Sequence, residues 1–224
     1  MDLLRAWDDD ARADSAAAAI FEAWFLRLAP SLAGDQLGTA TRGYESRFSA
    51  ITRFVEATLD GDPAWCDDSA TPAHETCDQA VTTALHTAVE DLAGRMSSRE
   101  PARWRWDAVH SAAFSHQGLD SVKFLRPLLS RSIPNGGDWS TVNVGAVATD
   151  APFEQRSVPG YREIVDLSPA NDSRFLEAVG PSGHFLSKDY DAFQADWRNV
   201  RYRTMRMERL KAEAGARGRL RLRP

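Results

Sequence analysis

Between residues 134 and 186 the chain alternates short extended runs with turn-forming residues, and this is the part that reads as sheet. Asn135-Gly136-Gly137 supplies residues that tolerate positive φ, so the chain can reverse there before residues 140–147 alternate and then turn apolar. Gly160 opens a second run, Tyr161-Arg162-Glu163-Ile164-Val165-Asp166-Leu167, stopped by Ser168-Pro169. A third covers residues 174–179 and ends at Gly180-Pro181. Three consecutive strands predict an antiparallel meander, with residues 187–200 closing it as a cap and a helix that turns Tyr190, Phe193 and Trp197 inward.

Upstream the period changes from two to about 3.6. Asp14 and Ser15 offer an N-cap for a helix through Ala29, with Pro30 as its expected stop, and Ile20, Phe21, Trp24, Phe25 and Leu28 form one wide apolar face. After a Gly-rich link over residues 34–43, Phe48, Ile51, Val55 and Leu59 predict a second helix that ends at Asp60-Gly61-Asp62-Pro63. A third is expected over 73–96 with Val81, Leu85, Ala88 and Leu92 inward, and residues 119–133 suggest one or two short helices interrupted by Pro127. The fold class is therefore α+β, a mainly helical region over 1–132, a sheet segment with a closing helix over 133–200, and a basic tail over 201–224. No run of about 18 apolar residues is evident, so no membrane span is expected.

The net charge of −5 hides an asymmetry: residues 198–224 hold ten basic and two acidic side chains, so the body before them is strongly acidic. Docking of this tail on acidic surface of the same protein is the favoured reading. Nucleic-acid binding is not expected, because no recognisable nucleic-acid fold surrounds the arginines. Cys66 and Cys77 are the two cysteines. A bridge would pin a loop to a helix start and contribute about 2–3 kcal/mol; two separate buried thiols are the other reading. Cys66, His74 and Cys77, with Asp67, Asp68, Glu75 and Asp78 near them, match none of the usual zinc spacings, so no metal is assigned.

Trp104 and Trp106 sit two apart, as on one face of an extended segment, and His110 and His116 follow. Each histidine, like His184, reads as a structural hydrogen-bonding residue, because no serine or cysteine has the context of an activated nucleophile. The sequence lacks G-x-G-x-x-G, G-x-x-x-x-G-K-[ST], HExxH and GxSxG, and Gly180-x-x-Gly183 is too short for a phosphate loop. Catalytic and cofactor-binding residues are accordingly assigned as none.

Three blocks in order carry a resemblance: Asn135-Gly136-Gly137-Asp138 running into Thr141-Val142-Asn143; Gly160-Tyr161-Arg162 with Ile164-Val165-Asp166-Leu167; and Gly180-Pro181-Ser182-Gly183-His184 with Leu186-Ser187 and Asp189-Tyr190. In order and spacing the chain resembles the C-terminal end of the penicillin acylase family, N-terminal-nucleophile amidohydrolases. The stretch from Leu3 to Asp8 is compatible, and Trp104-x-Trp106 followed by His110 resembles a further block, in which Asp107 replaces the usual glycine. The resemblance implies strands of an αββα core within one incomplete domain. It implies an acylated amine as substrate of the whole enzyme, whether a β-lactam, an acyl-homoserine lactone or another amide, and upstream segments of the same enzyme as partners.

Such an enzyme uses a Ser, Thr or Cys made N-terminal by self-cleavage, its free α-amine, with a pKa of about 8, serving as the base. Position 1 here is Met, and Asp2, Leu3, Leu4 and Trp7 read as the inside of a helix, which fits a truncated reading frame. The family's nucleophile, oxyanion donors and the calcium ligands of some members all lie upstream of the match, so none carries over, and this segment is expected to be inactive alone. A periplasmic or secreted location follows from the resemblance and agrees with a disulfide. A free-standing helical binding protein is the competing reading; chemistry at His110 or His184 is a third, and needs a carboxylate and a nucleophile in one pocket.

Overall fold

The computed structural model describes residues 2–41, 43, 48–148, 151–167, 172–216 and 218–222. The chain divides into two compact units, Met1–Val158 and Pro159–Pro224, and both helices and small sheets are present, as an α+β class requires.

In the first unit a short helix α1 (Asp2–Arg5) precedes α2 (Ala16–Leu37), which starts where the sequence places it, with the Ser15 hydroxyl accepting from the Ala18 N–H at 3.1 Å. It does not stop at Pro30. Proline removes one helix hydrogen bond and clashes with the preceding turn, at about 3 kcal/mol. Beyond it, however, Leu32 and Ala33 are fully buried and continue the face of Leu28 and Ala29. Burying a leucine contributes about 1.5–3 kcal/mol, so Leu32 together with Ala33 offsets a cost of that size. Gly34 therefore lies inside the helix, and the end comes at Gly38, which takes φ 52° and donates to the Gly34 carbonyl.

Next come α3 (Phe48–Gly61), which ends as predicted, and α4 (Cys77–Arg95). Helix α4 starts at Cys77 rather than near residue 73, because Thr76 and Gln79 form a reciprocal capping box. Alanines Ala18, Ala19, Ala23 and Ala88 are wholly buried, which lets α2 and α4 approach closely; they pack with Leu92, Trp104, Trp106 and Phe153. A second cluster joins Leu28 and Leu32 to Ile51 and Val55 of α3 and to Ala80 and Ala84 of α4. Leu59, expected inward, is exposed, and the side chain of Phe48 lies outside the described residues. Cys66 and Cys77 are joined in a disulfide that ties the turn Pro63–Cys66 to the first residue of α4. By length and composition α2 could cross a membrane; more than half of its apolar window is buried, as in a core helix.

The sheet of this unit starts earlier than residue 134. Strands β1 (Ser111–Phe114), β2 (Arg131–Pro134), β3 (Ala146–Ala148) and β4 (Ala151–Ser157) form a sheet ordered β2-β1-β4-β3. Strand β1 pairs antiparallel to β2, with Ala112 opposite Ile133, and parallel to β4, with Ala112 opposite Gln155. The expected strand over 140–147 shrinks to β3, because Asp138 draws the backbone of Ser140 and Thr141 into a turn. Arg126–Leu129 forms a single helical turn, α5, with Pro127 inside it rather than between two helices.

In the second unit β5 (Tyr161–Ile164), β6 (Arg174–Glu177) and β7 (Arg203–Thr204) form an antiparallel sheet in that order. This is a three-stranded meander, but its third strand comes from the basic segment and not from residues 140–147. The Ser168-Pro169 stop lies outside the described residues. Helix α6 (Gln194–Arg198) closes the unit with Trp197 fully buried, its indole N–H donating to the Pro159 carbonyl at 2.9 Å and the Arg162 guanidinium 4.6 Å from its ring centre. Five basic residues of the tail are paired within the unit: Arg201 and Arg203 reach Asp196, Arg209 and Arg219 reach Glu213, and Lys211 reaches Glu208. Arg217, Arg223 and Pro224 lie outside the described residues.

Reducing the Cys66–Cys77 bridge is expected to lower the unfolding free energy by about 2–3 kcal/mol, read as a lower urea midpoint. A Cys66→Ala/Cys77→Ala variant with the wild-type midpoint under oxidising conditions would contradict this role.

Candidate functional site

The turn-forming run from residue 135 to 145 is where the polar groups of the first unit converge. Gly137 takes φ 82°, and a side chain there would run into the Asn143 backbone; one at Gly136 would meet Ala13 and Ala11. The absence of side chains lets the turn lie against the segment before α2, where the Gly137 N–H donates to the Ala11 carbonyl at 2.7 Å. The Gly137 carbonyl in turn accepts from the indole N–H of Trp106 at 2.9 Å, and the Asp107 N–H donates to the Ala13 carbonyl at 2.8 Å.

Around this turn sit amides with their partners in place, as buried polar groups require. Asn135, fully buried, donates from Nδ2 to Oε1 of the equally buried Gln155 at 2.8 Å, and Asn143 donates to the Gly136 carbonyl at 2.9 Å. His110, 1% exposed, stacks on Trp106 with ring centres 4.1 Å apart. Neither of its ring nitrogens is in hydrogen-bond geometry with a partner. Burial pushes its pKa down to about 4, against a smaller opposing pull from the Phe153 backbone, Gln155 and Asp138 nearby. At neutral pH it is an uncharged ring.

Two carboxyl groups meet at the same place. Asp138 Oδ1 accepts from the Ser140 N–H at 2.6 Å, the Ser140 hydroxyl at 3.0 Å and the Thr141 N–H at 2.8 Å. Glu22 of α2 is buried beside it, and burial, with the Asp138 charge and a hydrogen bond to it, pushes the Glu22 pKa up to about 8. Glu22 is thus a neutral acid at neutral pH. The pair can hold one proton, but no serine, threonine or cysteine side chain is hydrogen-bonded to His110 or Glu22 among the described residues, so the nucleophile–base arrangement of covalent catalysis is not assembled here.

The other sequence-singled residues lie apart from this cluster. His74 Nδ1 is 2.9 Å from Asp67, beside the disulfide. His116 donates its backbone N–H to Ser130 Oγ, whose hydroxyl donates to Asp120 at 2.6 Å, and Asp120 is also paired with Arg126, with the His116 ring outside that arrangement. His184 is exposed and stacks on Phe185. Asp107 is paired with Arg105 at 2.9 Å. Sequence reading passed over Glu22 and Gln155; a glutamate interrupting the apolar face of α2 was the available signal for the first, and nothing local marked the second.

In the first unit a helical layer and a small four-stranded sheet are fastened by a buried polar turn, an α+β arrangement. The sequence pattern of the family described as Penicillin amidase matches residues 1–214. The chain belongs to that family. It is 28% identical over 224 residues to an acyl-homoserine lactone acylase QuiP of Pseudomonas syringae pv. syringae (strain B728a), covering 95% of this chain and 26% of the relative. A penicillin acylase 2 proenzyme of Pseudomonas sp. (strain SE83) is 28% identical over 206 residues, 87% of this chain and 24% of that protein. The chain spans about a quarter of the length of these relatives.

The two buried neutral groups set a pH dependence. Glu22 keeps in the folded state a proton that the unfolded chain releases above its ordinary 4.5, so it makes stability fall as pH rises from there to about 8. His110 refuses in the folded state a proton that the unfolded chain binds below its ordinary 6.5, so it makes stability rise with pH from about 4 to 6.5. The two contributions cancel where they overlap, and above pH 6.5 the Glu22 decline stands alone at about 1.4 kcal/mol per pH unit. Glu22→Gln is expected to lose that decline, so its stability relative to wild type improves by about 2 kcal/mol between pH 6.5 and 8 in urea titrations. Parallel curves for the two proteins would contradict the assignment.

Proposed function

We propose that this chain is the C-terminal part of the nucleophile-bearing subunit of a penicillin-acylase-type amidohydrolase, supplying helices and strands of its αββα core. The single observation that carries this reading is that the family pattern runs through residues 1–214 while the chain spans only about a quarter of its relatives. In the whole enzyme the reaction is hydrolysis of a linear side-chain amide, releasing a carboxylic acid and an amine. The relatives' names support an acylated amine, an acyl-homoserine lactone or a penicillin, as substrate class.

The chemistry then belongs to polypeptide upstream, where a self-processed N-terminal residue acts as nucleophile with its own α-amine as base. What supports this division is the character of the buried polar cluster: its amides are occupied with one another and with backbone, its histidine is neutral and its acid is paired. Such groups shape a scaffold and leave none poised for attack on a carbonyl. A periplasmic or secreted location fits the disulfide.

Incubated with phenylacetyl and fatty-acyl anilides, the purified 224-residue chain is expected to release no chromophore above the buffer rate. Steady multiple turnover by the chain alone, lost on substitution of one of its own residues, would overturn the reading.

A further inference from the structure

Residues 206–224 hold seven basic and two acidic side chains and no aromatic one. The two carboxylates are engaged within the segment: Glu208 meets Lys211, and Glu213 meets both Arg209 and Arg219. Positive charge therefore exceeds what the segment's own acids can neutralise. A five-residue helix, α7 (Arg209–Glu213), lies within it, and residues 218–222 run on in neither helix nor strand. Apolar side chains stand in water among these charges: Leu210 is 80% exposed, and Leu220 and Leu222 are each 85% exposed. Leu220 and Leu222 alternate with Arg219 and Arg221. Residues two apart share a face of an extended chain, so such a segment can put its leucines on one side and its guanidinium groups on the other. The family pattern ends at residue 214, so both of these leucines and four of the seven basic residues stand outside what the acylase scaffold has in common.

Charge and apolarity together narrow the partner. An acidic surface alone would answer the arginines and leave the leucines in water. Single-stranded nucleic acid is held on aromatic side chains against which its bases stack, and this segment has none. A bilayer carrying anionic lipid answers both features. Its negative surface draws in the basic residues, the leucines enter the boundary between headgroups and acyl chains, and the arginines lay their apolar stems there while their charged ends stay at the headgroups. Electrostatic attraction and apolar burial add, so two weak signals make one usable attachment.

We propose that residues 215–222 attach this protein peripherally to bilayers rich in anionic phospholipid, with the arginines held by lipid phosphates and Leu220 and Leu222 inserted at the interface. This attachment goes beyond the amide hydrolysis proposed above and does not depend on it, so its failure leaves that reading standing.

The test is co-sedimentation of the 224-residue chain with vesicles of phosphatidylcholine, with and without phosphatidylglycerol. Binding is expected to be about tenfold or more stronger with phosphatidylglycerol present, and to fall by a similar factor when salt is raised from about 0.1 M to about 0.5 M. The double variants Arg219→Gln/Arg221→Gln and Leu220→Ser/Leu222→Ser are each expected to weaken it by about tenfold. Their circular dichroism and melting should match wild type, because all four positions are exposed and lie outside helix and strand. Arg99→Gln/Arg103→Gln, at exposed positions in the first unit, is expected to bind as wild type does. Equal binding to both kinds of vesicle, or binding to neither, overturns the proposal. Loss with the arginine pair but not with the leucine pair would also overturn it, since it would mark a partner recognised by charge alone, and so would tighter binding to a DNA duplex than to the phosphatidylglycerol vesicles. A first-unit pair as damaging as the tail arginines would overturn the assignment to this segment.

Discussion

The first unit depends on a short piece of backbone being allowed to touch other backbone. At Gly136-Gly137 no side chain intervenes, so the turn contacts the segment before α2 directly and exchanges hydrogen bonds with Ala11 and Trp106. One turn thereby holds three parts of the chain that are far apart in sequence: the entry to α2, the Trp104–His110 segment and the strands β1 and β4. A buried donor or acceptor left without a partner costs about 1–3 kcal/mol, so each member of this arrangement is kept in place by the penalty of leaving the others exposed.

The same arrangement accounts for the two neutral ionisable groups. His110 is boxed between Trp106 and the sheet, where a charge would lose its water and gain little in return. Glu22 enters from α2 opposite Asp138, and burial, with the Asp138 charge beside it, keeps the proton on Glu22. These features look chemical and act structurally. The paired amides and backbone groups around them specify which turn packs against which helix.

Much of the helical layer was legible in the sequence, because periodicity reports burial directly: Ser15, Ile51, Val55, Ala88 and Leu92 stand where the pattern puts them. The end of α2 was not legible, since Pro30 is a local signal and the buried Leu32 and Ala33 that override it are a tertiary one. Strands β1, β2 and β4 were missed for a related reason. Ser-Ala-Ala-Phe carries no alternation, and its place between two neighbours comes from pairing that no short window contains. The turn Asn135–Asp138 was marked by its glycines, and the first of the three family blocks begins on it. Glu22, sitting in a run of alanines and aromatics, shows its meaning only when Asp138 is brought opposite.

Native-state hydrogen exchange gives the most direct test of whether this turn fastens the first unit. The backbone N–H groups of Asn135 and Gly137 and the indole N–H of Trp106 are predicted to exchange among the slowest in that unit, with protection matching global unfolding. Exchange of these three as fast as the exposed turn at Gly118, while α2 and α4 remain protected, would contradict the account.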